Sequence, residues 1–217
     1  MMRALRGLAA LAALAALVSN ALAAWQEGLL AQNLSYFTNL SNLGLVLLVL
    51  AGSVSTRRPP WWDALRGGVT LALVMTGLIY ALVIAPPEEL LRWDIGWQGI
   101  VLHRVVPVVA LLDWIISPVV RRGRLRQAAA WLLWPALYLA LTWWRGTETG
   151  WYPYAFLDPT LAPREEFAVT MGGVVAAFAV VALVLHLVGG RRVSSRGGAS
   201  SSRGGASSRA AAQRPAS

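Results

Sequence analysis

The sequence predicts an all-α protein: a polytopic bundle of six transmembrane helices with both termini in the cytoplasm. Composition is the first ground. Of 217 residues, 57% are apolar and 13% charged, whereas a soluble domain carries charge on roughly a quarter of its residues. The mean hydropathy of +0.55 is a surplus that a core of this size has no room to bury, so most of the chain must face lipid. The second ground is six apolar runs of the length, about 20 residues, that an α-helix needs to cross a hydrocarbon core of about 30 Å. The third is where the arginines fall.

The first run, 5–24, is rich in Ala and Leu and follows Arg3 and Arg6. Its Ala21-Leu22-Ala23 also reads as a signal-peptide cleavage site, and cleavage would leave five spans. Against that, the run exceeds the ~7–15 apolar residues of a signal peptide, as a retained helix does. The second run, 36–55, opens on a polar mouth, Ser35 to Asn42, and the third, 67–85, follows Arg57-Arg58-Pro59-Pro60-Trp61-Trp62-Asp63. The fourth, 97–119, carries His103, Arg104, Pro107 and Asp113; the fifth is 127–144 and the sixth 167–189. Charge sorts the connections alternately. The N-terminus, the second connection with Arg66, the fourth connection and the tail hold fifteen Arg and one acid, Asp63, while the other three connections hold three Arg and eight acids. Cationic loops stay on the cytoplasmic side, so both termini lie there.

From residue 190 the composition changes. Ser194 to Ser200 repeats as Ser201 to Ser207, with nothing apolar to bury, and 190–217 reads as a disordered cytoplasmic tail. All nineteen basic residues are Arg, and Ala, Gly and Pro are abundant, the signature of a GC-rich bacterial genome and hence of a bacterial inner membrane. The net charge of +9 flanks membrane spans and points to lipid headgroups rather than nucleic acid. Without cysteine there is no disulfide framework, Cys-ligated metal or thiol nucleophile. No nucleotide-binding or metal motif occurs either, so no cofactor is expected.

Polar groups inside a span are costly and mark candidate sites. Ser35, Thr38, Ser41 and Asn42 recur at helical steps and form one polar stripe, a pattern that serves helix-to-helix hydrogen bonding as readily as chemistry. On the fourth run, Pro107 has no N–H for the carbonyl of His103 and should kink the helix there. Thr38 lies about 3 Å and His103 about 9 Å below the outer face, at about 1.5 Å per residue. A hydroxyl and an imidazole at one depth, on helices that can be neighbours, form the minimal set for nucleophilic catalysis. Asp113 sits about 15 Å deeper than His103, out of its reach, and is better placed to pair with a cytoplasmic-side Arg or a neighbouring helix. Asp94 and Asp158 in outer loops are the remaining acids that could orient the ring. His186 is at the inner end of the sixth run and can share neither a haem nor a zinc with His103. The long outer loop carries Trp151-Tyr152-Pro153-Tyr154-Ala155-Phe156, which reads either as an aromatic anchor in the headgroups or as a lid folded over an outer-leaflet cavity.

Taken in order, Tyr36-Phe37-Thr38-Asn39-Leu40-Ser41-Asn42, Leu102-His103 through Pro107 to Leu111-Leu112-Asp113-Trp114, and Arg145-Gly146 with Gly150 to Pro159 resemble the motifs of the bacterial Pr-six-Pr membrane proteins. More distantly the chain is similar to the eukaryotic androgen-induced protein family. The similarity covers residues 1 to about 189 and omits the tail. Eukaryotic members are intramembrane threonine hydrolases that cleave fatty acid esters of hydroxy fatty acids with one Thr and one His. By motif position the resemblance implies Thr38 and His103 for those roles, the pair that depth also selects.

Two functions follow as expectations. One is a membrane hydrolase of lipid esters, with Thr38 as nucleophile, His103 as base, and Asn39, Asn42 or Tyr80 as oxyanion donor or substrate lining, each placed by depth. The other is a non-catalytic membrane protein that binds a lipid or conducts a small solute through the same polar groups. In both, membrane lipids are the partners.

Overall fold

The structure is a computed structural model and describes residues 2–54, 59, 61–90, 92, 96–117 and 125–191. The tail beyond Arg191, read above as disordered, lies outside the described residues, as do Arg57, Arg58, Asp94 and the arginines at 121, 122 and 124. All regular structure among the described residues is helical. In order these are α1 (Met2–Gln26), α2 (Leu30–Asn33), α3 (Phe37–Val54), α4 (Trp62–Ile79), α5 (Pro87–Leu90), α6 (Trp97–Ile100), α7 (Val106–Ile116), α8 (Leu125–Trp131), α9 (Leu133–Thr149) and α10 (Arg164–Arg191). α4 runs on into a π turn, Tyr80–Ile84, and a second π turn, Val101–Val105, joins α6 to α7 as one continuous span.

Five of these helical segments are long and apolar enough to cross a membrane: Met2–Gln26, Phe37–Val54, Trp62–Ile84, Trp97–Ile116 and Arg164–Gly189. They coincide with five of the six apolar runs. The run at 127–144 is helical too, but broken at Leu132 into α8 of 7 residues and α9 of 17. Pro135 explains the break: it has no N–H for the Trp131 carbonyl, and its ring collides with that carbonyl. Prolines also end two of the other segments. Ala85 before Pro86 and Ser117 before Pro118 are both extended, with ψ of 134° and 130°, because a following proline excludes the helical conformation.

α1 belongs to the bundle. Its Ala9, Ala10, Ala13 and Ala16 are buried at three- and four-residue steps, a small-residue face that lets its backbone approach α3 and α7 closely. That face meets Leu45, Val46, Leu73, Leu102, Val106 and Ala110 in one apolar cluster. A second cluster joins α4, α7, α8 and α10 through Leu71, Met75, Trp114, Trp131, Phe178 and Leu185. α4 is shared by both and is the central helix of the bundle. Large apolar side chains also cover the outside, with Leu82 77% and Val169 75% exposed, and α10 shows no polar face along its length. An apolar exterior of this extent belongs to a multi-pass helical protein surrounded by lipid.

At the end of the bundle that holds Arg6, the buried charges form one group. Arg6 reaches Asp113 at 2.6 Å, Arg66 lies 3.5 Å from Asp63 and 3.9 Å from Asp113, and Ser117 donates to Asp113 at 2.8 Å. The Arg66 guanidinium also covers the Trp114 ring, 5.0 Å from its centroid. Asp113 thus pairs with arginines of α1 and α4, the kind of partner the sequence led us to expect.

Candidate active site

Thr38 is the second residue of α3, so its backbone N–H is among the first four of the helix, which have no intrahelical acceptor. Two asparagines fix the helix around it. Asn39 Nδ2 donates to the Asn33 carbonyl at 2.7 Å and to Asn33 Oδ1 at 3.2 Å, tying the start of α3 to the end of α2. Asn42, fully buried, donates to the Thr38 carbonyl at 2.9 Å and to the Leu102 carbonyl at 3.3 Å.

The second of these bonds has a local cause in the neighbouring span. In the π register the N–H of Val106 bonds the carbonyl of Val101, and the next donor in line for the Leu102 carbonyl is Pro107, which has none. Asn42 supplies the missing donor. The kink expected at Pro107 is therefore taken up as a π turn, and its side-chain-satisfied carbonyl is that of Leu102. α4 can approach this turn because Gly77 faces it: a Cβ there would stand 3.0 Å from Pro107 Cβ and 3.2 Å from the His103 carbonyl.

Clamped in this way, α3 and the π turn bring Thr38 and His103 together. Thr38 Oγ1 is 3.3 Å from His103 Nε2, and His103 Nδ1 is 3.2 Å from the Gly99 carbonyl one helical turn back. A carbonyl only accepts, so in the neutral ring Nδ1 carries the proton and Nε2 is the acceptor for the Thr38 hydroxyl. The orienting group that the sequence left open is thus a backbone carbonyl. Asp158 instead closes its own turn through Thr160, and Asp94 is outside the described residues. The His103 ring is also stacked on Tyr80, centroids 4.3 Å apart. Tyr80 donates to Glu89, and Arg104 turns away to the carbonyls of Arg92 and Glu89.

A third hydroxyl completes the site. Tyr154 OH lies 3.3 Å from Thr38 Oγ1 and 3.3 Å from the Thr38 backbone nitrogen. The loop that carries it is docked rather than splayed into the surroundings. Tyr36 meets Tyr154 edge-on at 5.4 Å, Phe156 stacks on it at 5.4 Å, and Trp151 lies between Tyr36 and Arg145. Gly146 is needed for this docking, because a Cβ there would fall 2.1 Å from the Tyr152 ring. Beneath Tyr154 is a cavity of about 220 Å³ walled by α3, α4, α9, α10 and the loop. Its polar wall groups are Thr38, Thr76, Tyr138 and Tyr154, and no charged side chain lines it.

Of the residues placed by depth, the structure joins Thr38 and His103 directly and stacks Tyr80 on the His103 ring. Asn39 and Asn42 hold the backbone of α3, and both protons of the Asn42 amide are taken by carbonyls. None of Asn39, Asn42 and Tyr80 is on the cavity wall. Among the described residues no group of three or more metal-binding side chains comes together, and His186 lies against Trp131 in the other part of the bundle. Tyr154 and the Gly99 carbonyl were not singled out in the sequence. The carbonyl is legible in retrospect, because a helical side chain points back over the preceding turn. No family model, curated protein or solved structure matches the chain.

Proposed function

We propose that the protein is an intramembrane hydrolase of lipid esters, with Thr38 as nucleophile and His103 as general base. The observation that carries this reading is the Thr38 to His103 hydrogen bond with the ring's tautomer set by Gly99. An aliphatic hydroxyl is a weak nucleophile, and it gains strength only when a base accepts its proton as it attacks. Nε2 is placed to do so. The apolar cavity beside Thr38 fits an acyl chain, and the resemblance of the Thr- and His-bearing motifs to those of threonine hydrolases supports an ester of a hydroxy fatty acid as the substrate class. The chemistry needs water and no cofactor. The test is labelling of the purified protein by a fluorophosphonate ester mimic: the adduct is expected on Thr38 by peptide mass analysis and absent from Thr38→Ala. An unlabelled Thr38 in folded protein, with a lipid held in the cavity, would favour the non-catalytic, lipid-binding reading instead.

The reading places the protein in a bacterial inner membrane with six spans, α8 and α9 together forming the fifth, and with both termini in the cytoplasm. The fifteen arginines on one side support that orientation. Single cysteines introduced at positions 122 and 161, the second in an exposed part of the 150–163 loop, and probed with an impermeant thiol reagent in intact cells should react at 161 and not at 122. The opposite pattern would invert the topology.

A further inference from the structure

We propose that Tyr154 is a catalytic residue of this site, donating its phenolic O–H to the carbonyl oxygen of the ester as negative charge develops there. The inference rests on the hydrolase reading above and adds the group that reading lacks, a stabiliser of the oxyanion.

Elimination along the cavity wall points to it. An oxyanion donor must face the space that the acyl carbon occupies and hold a proton not already given to a backbone carbonyl. Thr76 gives its proton to the Ala72 carbonyl at 3.0 Å, and Tyr138 gives its proton to the Ser35 carbonyl at 3.1 Å. The Thr38 hydroxyl proton belongs to His103. Tyr154 is different: its oxygen accepts from the Thr38 N–H, and with the Thr38 proton given to His103 the phenol is the donor in its contact with Thr38 Oγ1, the atom that attacks. A carbonyl carbon bonded to Oγ1 carries its oxygen within reach of the same phenol. Burial holds the Tyr154 phenol above its usual pKa, so it remains an O–H donor at neutral pH.

The step balances with water as the only co-reactant. Thr38 Oγ1 bonds to the ester carbon, its proton passes to His103 Nε2, and the C=O π pair moves to the oxygen that Tyr154 hydrogen-bonds. The pair then returns, the C–O bond to the alcohol breaks, and Nε2 gives its proton to the departing alkoxide. Water attacks the acyl-Thr38 carbon with its proton going to Nε2, the oxyanion again facing Tyr154. Collapse releases the fatty acid, and Nε2 returns the proton to Thr38. Tyr154 keeps its proton throughout, so it acts by hydrogen bonding alone.

The experiment compares wild type, Tyr154→Phe and a protein with 3,5-difluorotyrosine in place of Tyr154, using p-nitrophenyl acyl esters in detergent micelles. Loss of an oxyanion donor lowers kcat by about 10²–10³-fold, so Tyr154→Phe should show that loss with KM nearly unchanged. Difluorotyrosine ionises at lower pH, and since phenolate cannot donate, the alkaline limb of its kcat profile should move to lower pH. A role in packing alone would leave that limb in place. Wild-type kcat in Tyr154→Phe, or an unmoved alkaline limb in the difluorotyrosine protein, overturns the role of Tyr154 and leaves the Thr38–His103 mechanism standing. If Tyr154→Phe does not fold, the difluorotyrosine profile decides. A wild-type protein that hydrolyses no ester overturns both.

Discussion

Thr38→Ala, His103→Ala and the double variant should each lose ester hydrolysis by about the same factor, on the order of 10²–10⁴ for a general-base step. Residues that share one nucleophilic step are non-additive: removing either closes the route that needs both, and the second substitution then has nothing left to remove. The geometry makes the pair exclusive, since the Thr38 hydroxyl meets one imidazole at 3.3 Å and the other histidine, His186, packs on Trp131. Hydrolysis of a p-nitrophenyl acyl ester by the three variants, with thermal melts to show that each is folded, measures it. Losses that multiply would mean that the two side chains act separately. Full activity in Thr38→Ala would place the nucleophile elsewhere.

How far the sequence led to this site depended on what each inference used. Depth along a helix is one-dimensional, and it sufficed to pair Thr38 with His103 because both distances are counted from the same membrane face. It gave no orientation. Asn39, Asn42 and Tyr80 share that depth, yet Asn42 faces the backbone of the next span and Tyr80 faces the flat of the imidazole. The five segments long and apolar enough to cross a membrane were legible from hydropathy, because lipid demands long apolar helices. The break at Leu132 was written in Pro135, three residues on, but hydropathy averages over such a position. The π turn could not be read from Pro107, which announces a missing donor without saying which carbonyl loses it. Tyr154 was out of reach for a different reason. Its bond to Thr38 spans 116 residues and comes from an aperiodic loop, whose aromatics would look the same in a headgroup anchor.

Asp113→Ala should destabilise the folded protein by about 3–5 kcal/mol, the cost of removing one partner from a buried ion pair. Asp113 is 5% exposed and accepts from Arg6 at 2.6 Å while standing 3.9 Å from Arg66, so its loss leaves the part-buried Arg6 without its carboxylate and Arg66 with that of Asp63. Arg6→Met should cost less, because Asp113 keeps Arg66 and the Ser117 hydroxyl, and the methionine refills the volume of the arginine stem. Thermal melting in detergent should therefore rank wild type above Arg6→Met and Arg6→Met above Asp113→Ala. The ranking also bears on α1. If α1 were cleaved as a signal peptide, Arg6 would be absent from the mature bundle, Arg6→Met would leave the melt unchanged, and the buried alanine face of α1 would have no place in it. A measurable cost for Arg6→Met therefore requires α1 to be retained and packed. Ten helical residues, about 15 Å, separate Asp113 from His103, so the Asp113→Ala protein that remains folded should still label at Thr38. That separates the charge group that holds the helices together from the hydroxyls and imidazole proposed to do the chemistry.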